Sequence, residues 1–164
     1  MTIEQNGLFV PPNQGTAVSV AGDVVIFKAV GEQTNGQYAL FELRAESQMG
    51  PPPHIHSRED EAFYIQEGEV EFHLDGRTVV ATPGTFLHSP KGQKHSYKVI
   101  SLQPAKMLCW AIPAGIEQFF TEVGTVLGNP SISPPPVTPK AIERMVAIAP
   151  KYGITILPPV EQEK

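Results

Sequence analysis

The sequence has a single cysteine and no excess of basic residues. Cys109 has no second cysteine to pair with, so the chain forms no internal disulfide, as is usual for intracellular proteins. Lys and Arg together number 12 and Asp and Glu 17, which gives a net charge of −5. Nucleic acids and anionic membrane surfaces bind basic faces, so neither is expected as a partner.

Long hydrophobic runs are also missing. No stretch approaches the roughly 18 apolar residues of a membrane-spanning helix. Residues 1–11 lack the basic and apolar regions of a secretory signal. The sequence therefore predicts a cytoplasmic protein.

Proline and glycine, in contrast, are abundant, with 17 and 14 copies. They fall between short apolar segments that are spaced about ten residues apart, a pattern typical of antiparallel sandwiches and barrels. We expect an all-β protein, with an N-terminal arm over residues 1–15 and a β-barrel over residues 16–112.

The pattern changes after Pro113. Apolar residues at helical spacing predict a short helix over residues 115–123 and a second helix from Pro139 to about Pro150. Residues 125–138 are rich in proline and predict a linker. We expect residues 113–164 to form a C-terminal helical extension that packs on the barrel.

Three histidines and one glutamate have the spacing of a metal site. His54 and His56 alternate with Ile55, so in a strand both imidazoles project to the same side. Glu61 heads an apolar strand face, where a carboxylate is costly to bury unless it is paired or bound to a metal. His95 follows a Pro-x-Gly turn that could return a fourth ligand from a neighbouring strand. The predicted ligands are therefore His54, His56, Glu61 and His95.

Two segments resemble the two sequence motifs of the cupin superfamily. The first covers residues 50–68 as Gly-x3-His-x-His-x4-Glu-x6-Gly, and the second covers residues 84–95 as Gly-x5-Pro-x-Gly-x2-His. Two positions depart from the family pattern. Three prolines form a shorter spacer than usual between Gly50 and His54, and Val99 stands where the family commonly has asparagine. The resemblance implies a cupin jelly-roll β-barrel with one divalent metal ion inside one end.

The C-terminal part adds a finer resemblance. Residues 113–124 and 151–157, separated by a Pro-rich spacer, look like the extension of bacterial cupins related to quercetin 2,3-dioxygenase. This implies oxidative ring cleavage of a flavonol or a related enol by O2, so the partners would be a small aromatic molecule and O2. Glu61 would then be both a metal ligand and the catalytic base. The metal could be Ni, Mn, Fe, Co, Cu or Zn.

Inward-facing strand positions predict an apolar substrate pocket that suits a flat aromatic molecule. The candidate residues are Phe41, Leu43, Phe63, Ile65, Phe72, Phe86 and His88. The apolar residues among them equally suit an ordinary barrel core, and for His88 a structural role is favoured over a contact with the substrate.

Two other functions fit the same metal site. A cupin isomerase or epimerase that acts on a sugar would need inward basic residues for phosphate or carboxylate groups, and the inward positions are mostly apolar. A non-catalytic, metal-dependent small-ligand binding protein would share the barrel and the metal. A homodimer is also expected, since an exposed sheet edge needs covering.

Overall fold

The short apolar segments form β-strands. A computed structural model describes residues 7–158, so residues 1–6 of the predicted arm and residues 159–164 of the predicted extension lie outside the described residues. In chain order the strands are β1 Ala17–Val20, β2 Asp23–Ala29, β3 Ala39–Ala45, β4 His54–His56, β5 Asp60–Glu67, β6 Val70–Leu74, β7 Arg77–Ala81, β8 Phe86–Ser89, β9 His95–Val99, β10 Ala105–Ile112, β11 Thr125–Leu127 and β12 Ile154–Ile156.

These strands pair antiparallel in two sheets. The seven-stranded sheet has the order β11-β1-β2-β3-β10-β5-β8, and the five-stranded sheet has the order β12-β4-β9-β6-β7. Phe41 and Ile65 of the first sheet share one core with Phe72 and Val99 of the second, and all four are fully buried. The predicted all-β jelly roll is confirmed. It is a sandwich rather than a closed barrel, because within residues 7–158 no strand pairing joins the two sheets.

The hairpin from β6 to β7 shows how the sequence sets the register of a strand. Asp75 and Gly76 both have positive φ, 47° and 85°, as the two central residues of a type I′ turn require. Val70 and Phe72 are fully buried, while His73 is exposed on the opposite face. Apolar and polar residues alternate along β6, and this alternation determines which face packs against the core.

Two short helices follow the main strands, as the spacing of apolar residues predicts. Helix α1 spans Ile116–Val123 and helix α2 spans Pro139–Ile148. The Thr138 hydroxyl accepts a hydrogen bond from the Ala141 amide at 3.2 Å and caps the N-terminus of α2. Apolar residues of both helices pack against the core. Neither these nor any other helix within residues 7–158 is long and apolar enough to cross a membrane.

The chain after Pro113 also adds one strand to each sheet. Strand β11 pairs with β1, and β12 pairs with β4. The predicted linker over residues 125–138 is therefore wrong at residues 125–127. An extended segment beside β1 satisfies backbone groups that would otherwise stay unpaired at this sheet edge. Strand β12 brings the C-terminal part of the chain next to the strand that carries His54 and His56.

Candidate metal centre

Two neighbouring strands of the five-stranded sheet bring the three histidines together. His54 and His56 lie at the two ends of β4, and alternation along the strand directs both imidazoles to one face. His95 begins β9 and pairs directly with His54. The centroids of the three rings are 4.3 Å, 4.9 Å and 5.4 Å apart.

Glu61 reaches these histidines from the other sheet. It is the second residue of β5, and its side chain is buried. Its Oε2 atom lies 2.7 Å from Nε2 of His95 and 3.2 Å from Nε2 of His56. The cluster thus bridges the two sheets, with His54 partly exposed and the other three residues buried.

Hydrogen bonds from Nδ1 to groups outside the cluster orient the rings of His54 and His95. Nδ1 of His54 lies 2.8 Å from the carbonyl oxygen of Pro52. Nδ1 of His95 lies 3.1 Å from both the Ser89 hydroxyl and the carbonyl oxygen of Gln93. Because a carbonyl oxygen only accepts, we assign the proton to Nδ1 in both rings, and Nε2 is the nitrogen left for a metal.

A buried carboxylate orients the third ring. Oε1 of Glu59 accepts a hydrogen bond from Nδ1 of His56 at 2.7 Å. Nε2 of His56 is buried and makes no hydrogen bond to any of residues 7–158, although Oε2 of Glu61 lies 3.2 Å away. A buried polar atom without a hydrogen bond costs free energy. This nitrogen lies among the donor atoms that a metal ion would join.

The donor set fits a divalent transition metal. One ligand atom from each of His54, His56, Glu61 and His95 lies within 4.8 Å of the others. Imidazole nitrogens and a carboxylate oxygen suit several first-row ions, and four protein ligands leave positions free on a six-coordinate ion. These four residues could therefore hold a metal ion.

The charges within the cluster act on one another. Burial raises the pKa of Glu61, but the charge of His56 and the hydrogen bond and charge of His95 outweigh burial and hold this pKa well below its ordinary value. Burial lowers the pKa of His56, yet the Glu61 and Glu59 carboxylates raise it to about 10. Burial and then the two neighbouring rings lower the pKa of His54 to about 3. Glu61 is therefore ionised, and a metal that binds His56 must displace a proton.

The single cysteine also contacts the cluster. Cys109 lies on β10, is buried, and donates from its thiol to Oε1 of Glu61 at 3.8 Å. Burial, and then the charge of Glu61, raises the pKa of Cys109 well above its ordinary value. The thiol thus stays protonated and contacts one carboxylate oxygen, while the other oxygen faces the histidines.

A mainly apolar cavity of about 90 Å³ adjoins the cluster. Both sheets and both helices contribute to its wall. Phe119 and Phe120 come from α1, and Met145 comes from α2. No Lys or Arg among residues 7–158 lines it.

Only two of the predicted pocket residues line this cavity, namely Phe63 and Leu43. Phe41, Ile65 and Phe72 are fully buried elsewhere in the core. These three stabilise the sandwich and do not border the cavity.

Phe86 and His88 lie on the outer face of the sheet, so their predicted place in the pocket is wrong. Strand β8 pairs with β5 so that Ser89 stands opposite Glu61, and directly opposed residues share a face of the sheet. Ser89 and Leu87 therefore turn inward, and His88 and Phe86 turn outward. Phe86 is 63% exposed, and Nε2 of His88 lies 3.5 Å from the carboxylate of Asp60 on the surface.

The sequence predictions omit a second polar pair on the cavity wall. The Tyr97 hydroxyl donates a hydrogen bond to Oδ2 of Asp23 at 2.5 Å, and both side chains are buried. Burial raises the pKa of Asp23 to about 7, although the hydrogen bond from Tyr97 lowers it. Tyr97 shares strand parity with His95, which is a usable signal for an inward position. Asp23 directly follows a turn and has no comparable signal.

Known proteins match part of this chain in sequence. Residues 40–111 match the family model of the Cupin domain. A quercetin 2,3-dioxygenase of Bacillus subtilis (strain 168) is 31% identical over 96 residues, which are 58% of this chain and 28% of that protein. The match therefore spans little more than a quarter of the relative's length.

Solved structures share the fold. KdgF from Halomonas sp. is similar with a TM-score of 0.60 and 16% identity, over 68% of this chain and 99% of that chain. A predicted oxalate decarboxylase from Thermotoga maritima is similar with a TM-score of 0.61 and 18% identity, over 65% of this chain and 99% of that chain. The solved structures thus share the fold, and the family model and the curated relative show that residues 40–111 form a cupin domain that resembles quercetin 2,3-dioxygenase.

Proposed function

We propose that this cupin is a metal-dependent dioxygenase that cleaves the ring of a flavonol or a related enol with O2. The observation that carries the proposal is the set of three histidines and one glutamate beside a mainly apolar cavity. The 31% identity to a quercetin 2,3-dioxygenase supports the same class of reaction.

Each residue of the cluster has a distinct part in this proposal. His54, His56 and His95 would hold the metal through Nε2, with Glu61 as the fourth ligand. When bound, such an ion supplies Lewis-acid and redox chemistry for the reaction of an enolate with O2. The hydrogen bonds at the three Nδ1 atoms orient the rings before any ion binds, which favours tight binding.

Glu61 is the residue we assign as the base. Its carboxylate is ionised and lies at the edge of the cavity, so it can accept the proton of the substrate hydroxyl. Cys109 contacts Oε1, and the histidines contact Oε2. The apolar wall keeps competing water away from this proton transfer.

The volume of the cavity limits the size of the substrate that fits without movement of the wall. Pockets for drug-sized ligands usually enclose roughly 300–1,000 Å³, against about 90 Å³ here. A flavonol therefore requires side chains of the wall to move, and those of the two short helices, Phe119, Phe120 and Met145, are the ones we assign to this movement. An enol with one ring needs less displacement.

An oxygen-uptake experiment tests the proposed reaction. Protein reconstituted with defined divalent metals is mixed with flavonols, and both O2 consumption and flavonol absorbance are followed. We expect about one metal ion per chain and a decay of flavonol absorbance that depends on O2. Failure to take up any metal would remove the metal site itself.

The variant Glu61→Gln tests the assigned base. We expect it to retain some metal but to lose turnover, because an amide cannot accept the proton. Glu67→Gln, at the exposed end of the same strand, is the matched control and keeps full turnover. Unchanged turnover in Glu61→Gln would show that another group takes the proton.

The same assay separates the alternative functions. A sugar isomerase would need a basic group for phosphate or carboxylate, and none within residues 7–158 lines the cavity apart from His54 and His56 of the cluster. A non-catalytic metal-dependent binding protein would bind flavonols without consuming O2. Binding without turnover under every metal would therefore favour that second alternative.

The homodimer stays a prediction. Strand β8 lies at the end of its sheet, with Phe86 63% exposed, and Tyr64 on the neighbouring strand is 40% exposed. Such edges are commonly covered by a partner. Light scattering should give twice the chain mass of 17.8 kDa, and a mass of one chain would contradict the dimer.

A further inference from the structure

One buried carboxylate on the cavity wall has an oxygen without a partner. Asp23 begins β2, is 7% exposed and lines the cavity beside the metal cluster. Its Oδ2 accepts the hydrogen bond from Tyr97, whereas Oδ1 is buried and has no hydrogen-bond partner among residues 7–158. A buried acceptor left unpaired is costly, so such a group calls for a partner from outside the chain.

The rest of the wall offers Oδ1 no alternative. Apart from Asp23 and Tyr97, the polar side chains that line the cavity are Cys109 and three members of the metal cluster. The Cys109 thiol already contacts Glu61. The remaining lining is aliphatic or aromatic. A polar group that meets Oδ1 must therefore arrive with whatever occupies the cavity.

Tyr97 fixes the position of this carboxyl group. Its ring is buried and packs against Phe63 and Phe72, with centroid distances of 6.2 Å and 5.6 Å. Tyr97 also stands two residues after His95 on β9, so both side chains turn to the same face of the sheet. The hydrogen bond from a packed ring restricts the rotamer of Asp23. Oδ1 thus has a defined place relative to the metal cluster.

We infer that Asp23, oriented by Tyr97, binds a hydroxyl group that the ligand carries in addition to the enol oxygen at the metal centre. This inference rests on the proposed function, because it assigns a second contact to the ligand of the same cavity. A hydroxyl both donates and accepts, so it satisfies Oδ1 whether the carboxyl group is ionised or protonated. A ligand that is apolar at this point leaves Oδ1 buried and unpaired. Asp23 is therefore a specificity-determining residue that selects hydroxylated ligands.

Anaerobic binding to metal-loaded protein tests the inference without requiring turnover. The probes are 3-hydroxyflavone and a series of flavonols that each carry one more hydroxyl group, at different ring positions. We expect at least one of them to bind about tenfold more tightly than the parent compound, as one buried hydrogen bond to a carboxyl group predicts. Equal affinity across the series would overturn the inference and leave the enol-binding centre intact. Binding of no flavonol at all would overturn both.

Removal of both members of the polar pair tests the residue assignment. The double variant Asp23→Leu with Tyr97→Phe removes both polar groups, so neither stays buried without its partner. We therefore expect it to fold. Its metal content should equal that of the wild type, and its preference for the hydroxylated probe should disappear. Tyr97→Phe alone keeps Oδ1 and should keep a reduced preference. A full preference in the double variant would show that the hydroxyl binds elsewhere.

Two further variants complete the test. Tyr64→Phe removes a tyrosine hydroxyl from the outer face of β5 and is the matched control, with unchanged metal content and preference. Asp23→Asn keeps an acceptor for Tyr97 but loses the negative charge, so it remains informative if the double variant does not fold. We expect Asp23→Asn to lower the preference severalfold, and an unchanged preference would count against Asp23 as the contact.

Discussion

Glu61 and Asp23 are two buried carboxylates on the wall of one cavity, and their pKa values move in opposite directions. Burial raises both. At Glu61 the charge of His56 and the hydrogen bond and charge of His95 outweigh burial, and the pKa falls well below its ordinary value. At Asp23 the single hydrogen bond from Tyr97 does not outweigh burial, and the pKa rises to about 7. The neighbours of each carboxylate, rather than its depth, determine its charge.

This difference separates two groups of residues in and beside the cavity, which we call the histidine end and the apolar end. The histidine end consists of His54, His56, Glu61 and His95, where outer hydrogen bonds orient every ring. The apolar end consists of Asp23, Phe119, Phe120 and Met145, where packing of two short helices closes the wall. We therefore expect substitutions at the histidine end to change metal binding. Substitutions at the apolar end should change stability and ligand choice.

The largest effect is expected from His56→Ala at the histidine end. The variant loses one ligand and leaves the Glu59 carboxylate buried without its hydrogen-bond donor, while His95 is the one histidine that still lies within hydrogen-bond distance of Glu61. We expect metal affinity to fall by more than about 100-fold, since even outer partners of metal ligands contribute 10–100-fold. Metal analysis after dialysis measures the loss. His73→Ala, on the exposed face of β6, is the control, and normal metal content in His56→Ala would contradict the site.

A smaller loss is expected from Glu59→Gln. The neutral amide accepts a weaker hydrogen bond from His56 than the carboxylate does, so the ring is less firmly oriented and less basic. We expect metal affinity to fall by about 10–100-fold. Competition with a metal-binding dye measures it, with Glu67→Gln as the exposed control. If the two variants bind metal equally, Glu59 has no part in the histidine end.

The residues of the histidine end could be predicted from the sequence because each is marked by a feature of its own short segment. His54 and His56 share one short strand, and turns lead into the strands of Glu61 and His95. The outer partner Glu59 gave no such signal. It lies among polar residues of a loop, and only the fold shows which of them turns inward.

The apolar end could not be predicted in the same way. Its wall comes from β2 and from both C-terminal helices, so it depends on packing between segments far apart in the sequence. The sequence also did not determine which face of β8 packs against the core, because Phe86 and Leu87 are both apolar and either could face it. Pairing of Ser89 with Glu61 decides between them. Strands with clear alternation, such as β6, left no such ambiguity.

Met145→Ala tests the apolar end. Met145 lies on α2 and is 7% exposed, and a buried Met→Ala change costs about 2–5 kcal/mol in the free energy of unfolding. We expect about 2 kcal/mol, because the side chain already borders a cavity and loses fewer contacts. Urea unfolding measures this change, and metal affinity should stay at the wild-type value.

The same variant should also change ligand choice. A wider cavity favours flavonols over enols with one ring, so the ratio of their turnover rates should rise. Val146→Ala, 44% exposed on the same helix, is the control for both measurements. Loss of metal from Met145→Ala would contradict the separation of the two ends.

The smallest effect over one pH unit is the pH dependence that Asp23 gives to stability. Its pKa is about 7 in the folded protein against an ordinary 3.8, so the folded state holds this proton more tightly than the unfolded chain does. As pH rises from 3.8 towards 7, the unfolded chain releases the proton first, and the free energy of unfolding falls. The decrease is at most about 1.4 kcal/mol per pH unit. Glu61 has a lowered pKa and contributes a slope of opposite sign in the metal-free protein.

Asp23→Asn isolates this contribution, because the amide has no proton to lose and still accepts the hydrogen bond from Tyr97. Urea unfolding of metal-free wild type and variant at several pH values gives the difference in unfolding free energy between them. The difference should shift in favour of Asn as pH rises to about 7 and then stay constant. A constant difference over the whole range would mean that Asp23 ionises in the folded state as it does in water. The contrast between the two carboxylates would then have no energetic basis.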